Sequence, residues 1–514
     1  MSAPALPLQG WLSRRGAWTR AGLGLLAGAA MTLAQPPVSV PWVLFAAVPA
    51  LVWLLSATRT GWQALGLGWA AGFGYLVTGL HWIGHAFLVD PERFAWLMPF
   101  AVTLLPGGIA LFWAAGFWLA HRLSGGRGGA RGAVAFAVAL TVAELARGHL
   151  LTGFPWALPA YAWVDTPVMQ AGAWMGPYGF TLATLALAAL PLATLRVPVA
   201  GAVALTVAGL WTGGTMRLEA APPPDPEAPV VRVVQQNAPQ ALKWTEPHRS
   251  RFLDRLIAET EAPADPAVGA PEIVIWPETA LPFLPGQSPQ AVARIAAAAA
   301  PATLVTGTLF GEQRGEARVF TNSLMVLDPE GRLAARYDKH HLVPFGEYLP
   351  LHGLLSAIGL DAIAGMRGGG LVPGPGPRLV EAAGIPPFAP AICYEMIFPG
   401  QLVPPGPRPR WILTVTNDAW FGAFAGPHQH LAQARARAIE QGLPVVRAAQ
   451  TGISAVIDAG GRVLETVALD TAGRIDARLP PRREVTPYSA MGDIPALIVL
   501  AGLAAALARR ARRA

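Results

Sequence analysis

Three residues far apart in the chain share one local setting. Glu278 follows the apolar run "EIVIW", Lys339 closes "RLAARYDK", and Cys393 closes "FAPAIC". Short runs rich in β-branched and small apolar residues predict strands. In open α/β sheets ligands gather beyond the carboxyl ends of the strands, so a carboxylate, an ammonium and a thiol at three strand ends can converge. A thiol is mostly protonated near neutral pH. Glu278 could take its proton while Cys393 attacks a carbonyl. The Lys339 ammonium, and a backbone N–H after the cysteine, could stabilise the thiolate and the oxyanion. The product would be a thioester, whose acyl group a second nucleophile would take.

Each residue also has a plainer reading. A lone cysteine is usually a small buried hydrophobe. Glu278, after Trp-Pro, could cap a turn, and Lys339 in "YDKHH" could be a solvated strand end. Cys393 is the only cysteine, which excludes an intramolecular disulfide and a multi-cysteine metal site. His340 and His341 could be metal ligands or a general base, but no Cys cluster or HExxH pattern accompanies them, so no metal is expected. Of the 38 basic residues only Lys243 and Lys339 are lysines, which suggests that these two positions need a compact ammonium.

Around these runs the chain changes character. It is 53% hydrophobic and 13% charged, a balance that points to a membrane protein with a water-exposed part. A spanning helix needs about 20 apolar residues. Such runs lie near 17–35, 40–57, 62–88, 95–120, 130–146, 168–194 and 197–214, with an eighth at 490–508. With a cytoplasmic N-terminus, twelve arginines fall on inside segments, against Arg93 and Arg147 outside. The net charge of +7, including the tail "RRARRA", then reads as anchoring beside anionic lipid, with no call for nucleic acid. Seven spans leave residues 217–489 on the outer face. This segment opens with "APPPDPEAP" and then alternates β-branched runs with helical patterns at about 246–261, 288–300 and 427–442, an α/β signature. The expected parts are a membrane domain over 1–216, a catalytic domain over 217–489, and a last span with a basic tail over 490–514. Glu144 and Arg147, one turn apart, read as an ion pair. His81 and His85, four apart, read as packing on one helix face. The Gly- and Pro-rich stretch 344–377 reads as a mobile lid with an apolar face.

The motifs "WPE", "YDKHHLVPFGEYLP" and "CYE", in that order, resemble the Glu-Lys-Cys triad of the nitrilase superfamily. With "QQNAPQALKW", "TNDAWFG", "ELARGHLLTGFPW" and "GPYG", and with flanking spans, nearly the whole chain resembles that superfamily's membrane-embedded apolipoprotein N-acyltransferase family. The resemblance implies an αββα sandwich joined to a helical membrane domain of about eight spans. It implies acyl transfer from a phospholipid, typically phosphatidylethanolamine, to the α-amino group of a diacylglyceryl-cysteine that begins an apolipoprotein. By motif, Cys393 is the nucleophile, Glu278 the general base and Lys339 the electrostatic partner. Glu347 supports them, Tyr394 and Glu395 shape the site, and Trp244, with Phe345 and Tyr348, contacts substrate. No cofactor is implied. A monomer in the bacterial inner membrane is expected, with both termini cytoplasmic and the catalytic domain periplasmic. One departure is Gln450, where the family usually has Asn. Two other readings stay open: a membrane-tethered amidase with water as acceptor, and a transporter or receptor whose outer part only binds.

Overall fold

A computed structural model describes residues 11–12, 14–315, 317–351, 353 and 370–512. The chain forms two compact units, one of Met1–Ala220, Phe424–Ala432 and Val485–Ala514, the other of Ala221–Ala423 and Gln433–Glu484.

The first unit is helical. The expected spans fall on helices Ala17–Met31, Leu44–Ser56, Gly61–Gly79, Met98–Ser124, Gly129–His149, Gly172–Thr194, Val197–Glu219 and Ile494–Arg512. Among the described residues, four helical stretches are long and apolar enough to cross a membrane: Pro91–Ser124, Gly129–His149, Pro167–Thr194 and Val197–Glu219. Pro41–Ser56 and Ile494–Arg509 are shorter apolar helices. Where lipid replaces water, close backbone approach matters more than apolar side chains. A Cβ on Gly28 would lie 1.9 Å from the Ala71 carbonyl, and one on Gly74 would lie 2.1 Å from that of Leu25. The helices of Gly28 and Gly74 therefore touch backbone to backbone. Glu144 and Arg147 form the expected ion pair, both fully buried, and the Trp113 indole donates to Glu144 at 2.5 Å. His81 and His85 do not share an α-helical face. The α-helix stops at Gly79, and His81–Leu88 is a 3-10 helix, whose three residues per turn rotate positions four apart away from each other.

The second unit is built on two mixed six-stranded sheets. The strands are β1 (Val230–Gln235), β2 (Ile273–Ile275), β3 (Thr303–Arg314), β4 (Ala317–Leu327), β5 (Leu333–Asp338), β6 (Val380–Ala382), β7 (Ile385–Ile392), β8 (Trp411–Thr416), β9 (Val445–Ala449), β10 (Ser454–Ile457), β11 (Val463–Val467) and β12 (Gly473–Arg478). One sheet runs β12-β1-β2-β3-β4-β5 and the other β11-β10-β9-β8-β7-β6. Within them β1-β2-β3 and β7-β8-β9 are parallel. Parallel neighbours need long crossovers. Helices His248–Glu261, Pro289–Ala299 and Ala425–Gln441 lie on three of the four connections.

Side chains alternate along each strand, and the first sheet buries both faces. Val231, Val233, Ile273, Ile275, Val305, Leu324 and Val326 share one core with Phe388, Ile392, Trp411, Leu413 and Val446 of the second sheet. Their neighbours Val234, Val274, Leu304, Met325 and Leu327 pack with Leu256, Ile257, Ile295 and Ala299 of the first two crossover helices. A strand covered on both sides reads as an unbroken apolar run, as "EIVIW" does.

Removing one partner of a buried ion pair strands the other, at a cost of about 3–5 kcal/mol. Glu144→Ala should lower the thermal midpoint in detergent sharply, whereas exposed Glu246→Ala, which removes half of an exposed pair with Arg249, should leave it within a degree or two.

Candidate active site

Three strand ends, two of them on parallel strands, deliver the candidate side chains. Glu278 lies three residues beyond β2, Lys339 directly follows β5, and Cys393 directly follows β7. The Lys339 ammonium is buried between two carboxylates. It donates to Glu347 Oε1 at 2.9 Å, lies 2.8 Å from Glu347 Oε2, and is 3.7 Å from Glu278 Oε1. The Asn322 amide on β4 donates to Glu278 Oε1 at 2.7 Å and to Glu347 Oε1 at 3.0 Å. The Val343 N–H holds the other Glu347 oxygen at 2.8 Å.

These contacts set the charges. Burial pushes the Lys339 ammonium down, but Glu347, then Glu278 and Cys393, push it up more strongly, so it stays protonated. Burial raises the Glu278 carboxyl above the usual range; Lys339 opposes the rise and Glu347 adds to it. Burial and the Glu278 charge likewise raise the Cys393 thiol, against Lys339. Cys393 is therefore a thiol at neutral pH, and Glu278 a carboxyl of raised proton affinity.

Backbone geometry aims the groups. Cys393 has φ +52°, left-handed for a residue with a side chain, at the start of the 3-10 turn Cys393–Ile397. Thr279, directly after Glu278, has φ +45°, and Phe345 has φ +62°. Each such residue costs about 1–3 kcal/mol, and such residues concentrate at functional sites. Gly307 lets β3 pass against the Glu278 backbone; a Cβ there would lie 2.5 Å from Glu278 Cα.

Glu395 ties the nucleophile's turn to the loop after Lys339. One of its carboxylate oxygens accepts from Tyr337 Oη at 2.9 Å, His340 N at 2.8 Å and His341 N at 3.2 Å, while the other accepts from Ile392 N at 2.7 Å. Burial favours its acid form, but the His340 hydrogen bond and charge and the Ile392 N–H hold the carboxyl below the usual range. Tyr394 packs edge-on against Phe398 at 5.2 Å.

The proposed substrate contacts are more open. Trp244 is 44% exposed and Phe345 59%, and among the described residues no ring contact joins either of them to Tyr348. The expected lid over 344–377 includes 352 and 354–369, which lie outside the described residues. Its far end returns to the site: Leu371 N donates to Glu347 O at 2.8 Å, and Gly374 N to Lys339 O at 2.8 Å. Removing 366–372, which spans Leu371, would thus disturb the backbone of Glu347 as well as any lid.

Gln450 uses its extra methylene. Its amide nitrogen donates to the Glu278 carbonyl at 2.8 Å, and its oxygen accepts from Gln236 at 2.7 Å. Sequence reasoning missed Asn322 and Gln236. The signal for Asn322 was a polar pair, Asn322-Ser323, inside the apolar strand "FTNSLMVLD", where a buried amide demands partners.

The sequence model described as "Apolipoprotein N-acyltransferase N-terminal domain" matches residues 27–190, and that described as "Carbon-nitrogen hydrolase" matches residues 231–486. A Rhodopseudomonas palustris protein named apolipoprotein N-acyltransferase is 40% identical over 505 residues, covering 94% of each chain. A Brucella melitensis protein of the same name is 39% identical over 511 residues, covering 95% of each. Among solved structures, an amidase from Nesterenkonia sp. AN1 is 18% identical, with a TM-score of 0.35, covering 54% of this chain and 97% of that one.

Gly307→Ala should displace Glu278 without touching any reactive atom. Activity should fall roughly a hundredfold with the circular dichroism spectrum kept, a size typical of an ångström-scale misplacement. Glu395, with its depressed folded value, stabilises the fold above the ordinary carboxylate pKa of about 4.3, and that contribution fades as pH falls through the folded value. The gap in thermal midpoint between wild type and Glu395→Gln should therefore be full at pH 7 and shrink on acidification below about pH 4.

Proposed function

The chain belongs to the apolipoprotein N-acyltransferase family, and on that footing we propose that Cys393, Glu278 and Lys339 carry an acyl chain from a phospholipid to a lipidated N-terminal cysteine. The observation that carries the assignment is the buried Lys339 ammonium held by Glu347 and facing Glu278, with Cys393 electrostatically coupled to both Lys339 and Glu278.

In the first half-reaction Cys393 Sγ attacks the ester carbonyl carbon of the donor, phosphatidylethanolamine in our reading. Glu278 takes the thiol proton, and the carbonyl oxygen becomes an oxyanion beside Lys339 and the Tyr394 N–H. The acyl C–O bond breaks, and the departing lysophospholipid oxygen receives the proton from Glu278. A thioester remains on Cys393. In the second half-reaction the α-amino nitrogen of an S-diacylglyceryl-cysteine attacks that thioester. Glu278 takes a proton from the nitrogen, the C–S bond breaks, and the proton returns to sulfur. An amide forms and no water is consumed.

The raised Glu278 carboxyl suits both proton transfers, since a carboxylate gains strength as a base when its proton affinity rises. Lys339, held protonated, offers a fixed charge that needs no rearrangement as the oxyanion develops. Glu347 and Glu395 act through Lys339 and the nucleophile's turn; Trp244, Phe345 and Tyr348 offer open aromatic surface to acyl chains. We place the protein as a multi-pass inner-membrane enzyme of about eight spans, with both termini cytoplasmic and 217–489 periplasmic, between a membrane domain over 1–216 and a last span over 490–514. The arginine distribution supports that topology.

Purified protein in detergent, incubated with phospholipid and no acceptor, should gain one acyl mass that hydroxylamine removes and that Cys393→Ser abolishes. Adding a diacylglyceryl lipopeptide should move the acyl group to its amine. Release of free fatty acid instead would point to water as the acceptor, and a folded wild type with no adduct would sink the thioester route. Because only ionised Glu278 accepts the thiol proton, acylation should rise with pH through the raised Glu278 value and fall away in acid.

A further inference from the structure

Both lysines of this arginine-rich chain bear on Glu278. Lys339 faces the Glu278 side chain. Lys243 reaches the turn behind it: its buried Nζ donates to Thr279 Oγ1 at 2.6 Å, 5.1 Å from the Trp244 ring centroid. Thr279 follows Glu278 and holds a left-handed φ of +45°, so this hydrogen bond clamps a strained turn from which the base projects. Glu278 O is held on the same turn by Gln450.

We propose that Lys243 is a positioning residue for Glu278, fixing the Glu278–Thr279 turn from below and placing a second positive charge near the carboxylate. The inference rests on Glu278 being the base that serves Cys393. A lysine and not an arginine fits because the group is fully enclosed and its partner is one hydroxyl, which a broad guanidinium with five donors could not match without stranding the rest. Burial lowers the Lys243 ammonium to about 7, opposed by the Glu278 charge, so Lys243 is charged below neutrality and loses its proton just above it. The groups that bear on Glu278 are Lys339, Glu347, the Asn322 amide, Lys243 and Cys393; those on Lys243 are Glu278 and the Thr279 hydroxyl.

The sign of the effect follows. A charged Lys243 lowers the proton affinity of Glu278. Lys243→Met keeps the apolar stem and removes the charge, so Glu278 should rise further and the acid limb of Cys393 acylation should move to higher pH. The deficit should be largest below pH 7 and shrink above it, where wild-type Lys243 is itself neutral.

The test is single-turnover acylation of full-length protein by phosphatidylethanolamine in detergent, followed by intact mass across pH. Lys243→Met should be slower by roughly ten- to a hundredfold at pH 6, with the limb displaced. Lys243→Arg should not restore the rate. Thr279→Val severs the same hydrogen bond but keeps the Lys243 charge, so it should slow acylation with the limb in place. A Lys243→Met profile that overlays wild type, or that is uniformly slower with an unmoved limb, overturns the proposal. Should thermal melting show Lys243→Met unfolded, Thr279→Val decides, and a wild-type rate there overturns it. Absence of the thioester in wild type strikes the reading of Cys393 and Glu278 themselves, a distinct failure that takes this proposal with it.

Discussion

A buried ammonium between two carboxylates is the constraint on which the rest of the catalytic unit depends. Alone at that depth, Lys339 would shed its proton. Glu347, at hydrogen-bond distance, and Glu278, slightly farther away, prevent this. The two carboxylates are not equivalent. Glu347 is committed to Lys339, Asn322 and the Val343 N–H. Glu278 keeps the looser contact and the raised proton affinity, which suits it to exchange a proton.

Keeping this group in register calls for rigidity around it. Strands β2 and β7 stop shortly before Glu278 and Cys393, and the packing around them buries β2 completely and most of β7. Glu395 then joins the Cys393 turn to the chain on either side of Lys339 through Tyr337 Oη and the His340 and His341 N–H groups. The left-handed backbone at Cys393 and Thr279 is tolerated because these surroundings leave it no alternative. Preorganisation of this kind lets a fixed charge meet a developing oxyanion without reorganising at the moment of reaction.

The helical unit obeys another rule. Its helices approach closely, and glycines such as Gly28 and Gly74 bring backbones together. Its buried Glu144 and Arg147 pair within one turn, and its buried Arg20 is held by the Arg15 carbonyl and the Gln63 amide. The same chain thus uses β-branched residues to fill its sheets and small residues where its helices touch.

Much of this was legible in the residues. The strands before Glu278 and Cys393 read directly as apolar runs, because burial on both faces removes polar residues from them, whereas β5, before Lys339, is partly exposed and carries Arg336 and Asp338. The apolar helices read from length and composition, and the rarity of lysine marked Lys243 and Lys339 before any fold was known. The missed strands were β6, with only three residues; β11, mostly exposed; β12, which alternates charge with uncharged residues; and β9, a buried run of five interrupted by Arg447. Chain order fixed residue types and element types, because periodicity and propensity are local. Only the tertiary structure decided that Asn322 bridges Glu278 and Glu347, that Gln450 spans from Gln236 to the Glu278 carbonyl, and that Lys243 lies behind the base. Those contacts join residues remote in sequence, and which distant amide or amine satisfies a buried carboxylate is settled by packing rather than by spacing along the chain.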